Sequence, residues 1–88
     1  MSNGADIWIV LVEERHADVE ALPFSTLVQA VAAAQEQARA GARVPGDVVW
    51  DAGLNDDMRR DGWVLYLPYG SEGDCVRVIR RQMDGGQP

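Results

Sequence analysis

The first strong signal along the chain is an unbroken apolar run, Ile7 to Val12, ended by Glu13, Glu14 and Arg15. In an extended strand alternate side chains go to opposite faces. Ile7, Ile9 and Leu11 therefore share one face, and Trp8, Val10 and Val12 the other. Both faces are apolar, which predicts a strand over residues 7–14 in the middle of a sheet. A second extended segment follows over 18–24. Arg15-His16-Ala17 connects the two; it has hairpin length but lacks the favoured Asn-Gly or Asp-Gly chemistry. Pro23 offers no N–H to a ladder, so it belongs at an edge or a strand end.

The period then changes. Leu27, Val31, Ala34 and Ala38 recur at helical spacing with Val28 beside them, while Gln29, Glu36 and Arg39 fall elsewhere on the wheel. This predicts an amphipathic helix over 26–40 with a flat, Ala-rich packing face. Ser25 or Thr26 supplies the N-cap, and Gly41 is placed as the C′ residue. Val44-Pro45-Gly46-Asp47 is turn chemistry. Val48-Val49-Trp50 reads as a short strand or a plug over the core. Asn55 heads a short second helix, with Asp56 and Asp57 where the dipole favours anions, Arg59 and Arg60 in the last turn, and Gly62 at the end.

Trp63 to Tyr69 is the third strand. Strict alternation puts Trp63, Leu65, Leu67 and Tyr69 on one face, and Val64 and Tyr66 on the other. Gly70 to Asp74 is a Gly-rich hairpin loop. Cys75 to Gln82 returns as the fourth strand, with Val76 and Val78 on one face, Cys75 and Ile79 on the other, and Arg77, Arg80 and Arg81 making part of it solvated. Residues 84–88 are expected to be a disordered tail.

The order β-β-α-α-β-β predicts one α+β domain over 1–83. It is a single antiparallel sheet of three or four strands, with the long helix packed on one face and a short second helix. One helix covers one face. The other, read as Trp8, Val10, Val12, Val64 and Tyr66, then needs a partner or the 44–57 segment to cover it.

Composition narrows the function. The chain has 88 residues, room for one domain. Eight basic residues, all Arg, stand against 14 acidic ones, a net charge of −6. With that excess and no basic stripe, direct binding to a phosphate backbone is not expected. The single cysteine, Cys75, excludes an internal disulfide framework and favours a reducing compartment. The run Ile7–Val12 is too short for a signal segment or a membrane span, so a soluble, cytoplasmic chain is expected. The absence of Lys and the abundance of Ala fit a GC-rich genome.

Few residues carry candidate chemistry. Glu14, His16 and Asp18 alternate, so on a continuous strand they would converge as a divalent-metal or acid–base set. On a solvated turn they would not, and Asp18 would bond the backbone instead. One histidine is few for a zinc site. The stretch from Asp51 loosely resembles a calcium loop, but Asp56 stands where Gly is needed and Gly62 where Glu is needed. Cys75 follows Asp74, which opposes a thiolate, and reads as a small core or edge residue. Gly70-x-x-Gly73 has no Lys-Ser/Thr sequel and precedes no helix, so it is hairpin chemistry. No catalytic residue and no cofactor are assigned.

The aromatics are the stronger lead. Trp8, Trp50, Trp63, Tyr66 and Tyr69 are many for so small a core. They either close that core or form an exposed binding patch, where Trp and Tyr are typical anchors.

Glu14-Arg15-His16-x-Asp18, Gly62-Trp63 and Gly73-Asp74, set within residues 7–82, give the chain a resemblance. It resembles small actinobacterial proteins without assigned activity. The resemblance implies a bacterial, cytosolic origin and transfers no catalytic residue.

The function expected is thus a small non-catalytic binding module. It would act through a sheet face or edge on a protein partner or a second copy, with no nucleic acid and no membrane. One alternative is an acidic regulator or nucleic-acid mimic that occupies a basic surface. The other is a metal-binding protein or enzyme using Glu14, His16 and Asp18.

Overall fold

The computed structural model describes residues 5–15, 17–70 and 73–83. The expected tail, 84–88, lies outside the described residues. Strand β1 (Ala5–Glu13) and strand β2 (Glu20–Phe24) are followed by helix α1 (Leu27–Gly41) and helix α2 (Asp56–Arg60). Strands β3 (Trp63–Pro68) and β4 (Cys75–Met83) complete the order, and a single 3-10 turn, Pro45–Asp47, lies between the helices. The four strands form one antiparallel sheet in the order β2-β1-β4-β3. The α+β class and the β-β-α-α-β-β order match the expectation.

The long central strands β1 and β4 pair along their whole length, from Ala5 opposite Met83 to Glu13 opposite Cys75. The β2 edge contains Pro23, where a missing N–H costs no ladder bond. The strand expected over 18–24 begins only at Glu20, because Ala17 folds back to the Glu14 carbonyl in a turn.

Helix α1 lies against all four strands on one side of the sheet. Its buried stripe is Ala30, Ala34 and Ala38. This corrects the expected stripe of Leu27, Val31, Ala34 and Ala38: Leu27 and Val28 are exposed. Alanines four apart let the backbone come close to the sheet, and the larger side chains roll outward. Thr26 is the N-cap, accepting from the Gln29 N–H at 3.2 Å. Asn55 caps α2 in the same way, accepting from Met58 at 2.8 Å. The Asp56 and Asp57 side chains each pair with an arginine three residues on.

Gly41 is not the left-handed C′ residue expected; it closes the helix, and Ala42 is the C-cap in extended conformation. Its reason is space. A Cβ at Gly41 would lie 2.5 Å from the Tyr69 hydroxyl oxygen and 2.9 Å from Glu14 Oε2. Gly62 does take a positive φ of 92°, and its carbonyl accepts from the Arg80 N–H at 2.7 Å, tying the end of α2 to β4.

The core sits between α1 and the sheet. It comprises Val10 and Val12 of β1, Val76 and Val78 of β4, Leu67, Tyr69, Val48 and the alanine stripe, with Trp8, Leu22 and Phe24 packed around it. Val48 fills the plug role rather than a strand, and the Val49 N–H donates to the Pro68 carbonyl at 2.9 Å. No charged or polar side chain is buried among the described residues.

Candidate functional site

The face opposite α1 is built by the odd positions of β1. Ile7, Ile9, Leu11 and Glu13 point there, because Trp8, Val10 and Val12 point into the core. The sequence expectation had these two sets reversed. Both sets are apolar, so alternation identifies two faces without saying which one the helix takes.

Strand β3 adds the aromatics. The pairing shifts between Trp63 and Leu65, so Trp63 faces Ile79 while Leu65 faces Val78. This bulge moves Trp63 off the face it would share with Leu65 by strict alternation. It joins Tyr66 on the open side, and their ring centroids are 5.5 Å apart. Val64, expected beside Tyr66, packs against the core instead.

Two rows cross the open face at right angles to the strands. One runs Ala21, Leu11, Arg77, Tyr66; the other runs Pro23, Ile9, Ile79, Trp63. Ile79 is buried, and Ile7, Ile9, Leu11, Trp63 and Tyr66 are half-buried. Small side chains stand at the β2 edge and rings at the β3 edge. Beyond that edge a shallow depression of about 320 Å³ continues the aromatic surface, lined by Trp50, Leu54, Arg59, Val64 and Tyr66 among others.

One charged pair lies in this face. Arg77 is ion-paired with Glu13, and its guanidinium carbon sits 4.7 Å from the centroid of the Trp63 ring. Burial pulls the Arg77 guanidinium down from the usual arginine range. Its Nε is buried without a hydrogen-bond partner among the described residues. The Cys75 thiol lies 3.8 Å from Glu13 Oε1. Burial first, and then the Asp74 charge, push that thiol up, away from the thiolate that nucleophilic chemistry needs.

The five aromatic candidates therefore separate. Trp63 and Tyr66 lie together on the open face. Trp50 is 44% exposed, with the Arg39 guanidinium 5.2 Å from its ring centroid. Trp8 packs against the core on the helix side. Tyr69 is buried, and its hydroxyl donates to Glu14 Oε2 at 2.9 Å. Sequence reasoning missed Arg77 and Glu13 as site residues. Their signal was an acid on β1 and a base on β4 set at alternating positions among Ile7, Ile9, Leu11 and Ile79.

The expected metal set lies only in part within the described residues. The strand ends at Glu13, Glu14 turns inward to Tyr69, and Asp18 is exposed beyond the turn. His16 lies outside the described residues. No group of three His, Cys, Asp or Glu side chains fit to hold a metal occurs among the described residues. No helix among the described residues is long and apolar enough to cross a membrane.

No protein-family model matches the chain, and neither a curated protein nor a solved structure does.

Proposed function

We propose that this chain is a non-catalytic docking module whose open sheet face binds a protein surface. The observation that carries the reading is the contiguous patch of Ile7, Ile9, Leu11, Ile79, Trp63 and Tyr66 on the side of the sheet that α1 does not cover. At ~3.4 Å per residue and ~4.8 Å between strands, the four strands present roughly 450 Å² of face. That is the footprint of the whole face, with the Arg77–Glu13 pair, Arg81 and the buried Ile79 included. Rigid rings beside aliphatic side chains, with one charged pair among them, have the composition of a protein-binding patch.

The test is photo-cross-linking in living cells, with benzoylphenylalanine in place of Tyr66. Discrete protein adducts are expected. They should vanish when Ile9→Asp is added and persist with Val28→Asp, which alters the exposed side of α1. Absence of adducts, or adducts indifferent to Ile9→Asp, would overturn the reading.

A further inference from the structure

We propose that the occupant of the open face is a second copy of this chain, stacked face to face about a two-fold axis that runs along the strands between β1 and β4. The proposal rests on the reading of that face as a docking surface and names its partner and its orientation.

The relief of the face selects the orientation. From β2 to β3 it rises from Ala21 and Pro23 to the rings of Tyr66 and Trp63. Two sheets can stack with a two-fold axis either along the strands or across them. An axis across the strands sets β3 on β3 and β2 on β2. Rings then meet rings, and a gap opens between the small residues. An axis along the strands sets β2 of one copy over β3 of the other. Interiors pack at crystal-like density, which requires large side chains opposite small ones.

The register makes this specific. Ala21, Leu11, Arg77 and Tyr66 form one row, and Pro23, Ile9, Ile79 and Trp63 the next. Rotation about an axis between β1 and β4 places each row over itself in reverse. Ala21 then faces the partner's Tyr66, and Pro23 faces the partner's Trp63. Ile9 faces the partner's Ile79, and Leu11 faces the partner's Arg77. Packed sheets cross at about 30°, which displaces the outer contacts by roughly one residue and leaves the small-on-large pairing intact.

Charge permits self-association here and opposes it elsewhere. The chain carries a net −6. On the described open face the charged side chains are Glu13, Arg77 and Arg81, a sum of +1. Glu13 and Arg77 are already paired with each other. Two copies meeting by this face bring no excess of acid together, whereas Asp51, Asp56 and Asp57 are exposed on the loop and helix outside it. Area sets the strength. Roughly 900 Å² of projected face between two copies lies just below the usual ~1,200 Å² lower bound of specific interfaces, so the dimer is weak and reversible.

The experiment is a size-swap read by sedimentation equilibrium and light scattering over a concentration series. The unaltered chain should pass from 9.6 kDa to twice that mass as concentration rises. Ala21→Tyr sets ring against ring and should weaken self-association at least tenfold. Tyr66→Ala leaves a gap and should weaken it severalfold. An equimolar mixture of these two single variants should regain the dimer. The ring introduced by Ala21→Tyr in one chain then meets the space opened by Tyr66→Ala in the other, while the second edge keeps its native Ala21–Tyr66 contact. Circular dichroism confirms that each variant is folded before mixing.

A dimer that ignores Ala21→Tyr, or a mixture that does not associate, overturns the proposed orientation. An unaltered chain that stays monomeric throughout overturns self-pairing altogether. In that last case, adducts with other proteins in cells, lost on Ile9→Asp, would leave the docking reading standing.

Discussion

On the helix side of the sheet, Val10, Val76 and Val78 have no exposed surface and are met by an alanine stripe. On the other side, the same two central strands carry Ile7, Ile9, Leu11, Arg77 and Ile79, and most of these keep part of their surface in solvent. Both faces are apolar at their centre, and there they differ in side-chain size and in where charge stands: Arg77 and Glu13 pair beside Leu11 and Trp63, whereas Asp6 and Arg80 pair at the far end of the helix side. The helix side uses short, stiff valines, which suit a helix backbone held close by Ala30, Ala34 and Ala38. The open side uses longer aliphatic chains, rings and an ion pair, which suit a partner that can come and go. Where the helix backbone comes closest the buried face carries small side chains and no charge, and its Asp6–Arg80 pair and larger rings stand around that centre. A face that must tolerate water keeps groups that water can serve.

The largest effect that separates the faces comes from one chemical change made at adjacent residues. Val10→Asp places a carboxylate where there is no solvent and no partner. That costs on the order of 4–5 kcal/mol, comparable to the lower end of the whole stability of a small domain. Circular dichroism should show loss of the helix. Ile9→Asp points to the open side and should cost about 1 kcal/mol or less in thermal unfolding, with the fold retained. Equal losses at the two positions would mean that the open face is as deeply buried as the core.

The difference between the faces also marks how far the sequence reaches. The strands, both helices, both caps and the antiparallel order are legible because periodicity, Thr26, Asn55 and Gly62 are local signals. The assignment of faces is not local. Residues 7–12 are apolar at every position, so the choice depends on which strand neighbours and which helix stripe they meet. Strand β3 has the same weakness. Its alternation looks regular, yet the shift at Trp63/Leu65 transfers Trp63 to the other side, and a bulge leaves no mark in a run of large residues. The Glu14, His16, Asp18 reading depended on strand alternation continuing past Glu13. A backbone turn from Ala17 to Glu14 interrupts it.

The second effect sharpens the idea that tight packing belongs to the helix side. Gly41→Ala improves intrinsic helix propensity, a gain of up to ~1 kcal/mol on a solvated helix. Here the new methyl group would meet the Tyr69 hydroxyl, whose ring is held in the core. Overpacking of this kind costs about 2 kcal/mol, so the net change is destabilising. Urea denaturation reads the sign directly, and a stabilised variant would mean that Tyr69 moves aside freely.

The Arg77–Glu13 pair offers a third contrast, since the helix side's pair, Arg80–Asp6, lies at the far end of the strands with its arginine much more exposed. Arg77→Met leaves the Glu13 carboxylate half-buried beside apolar neighbours and removes the stacking on Trp63, a cost of about 1–2 kcal/mol. Glu13→Gln together with Arg77→Met removes both charges and should recover most of that loss. A double-mutant cycle by denaturation measures the coupling. Strictly additive losses would show that the two side chains act separately.

The smallest effect concerns the edge where the two faces' designs meet, at the Tyr69–Glu14 bond. Tyr69→Phe removes a hydrogen bond to a half-buried carboxylate and should cost about 1 kcal/mol at neutral pH. Its stronger signature is in alkali. Burial, and then the hydrogen bond to Glu14, raise the Tyr69 hydroxyl well above the ordinary tyrosine range. A raised value in the folded state means that the folded chain holds this proton when the unfolded chain has already lost it. The associated stability is complete below pH ~10, where an unfolded tyrosine remains protonated, and drains away as pH climbs above it. Cys75 is shifted in the same direction, so the comparison belongs in a Cys75→Ser background. There, the slope of unfolding free energy between roughly pH 10 and 11.5 should flatten with Tyr69→Phe. An unchanged slope would mean that the hydroxyl ionises as readily in the folded chain as in the unfolded one. The ring would then be anchored by packing against the core alone, and Gly41→Ala should be correspondingly less costly, because nothing would hold the hydroxyl in the path of the new methyl group.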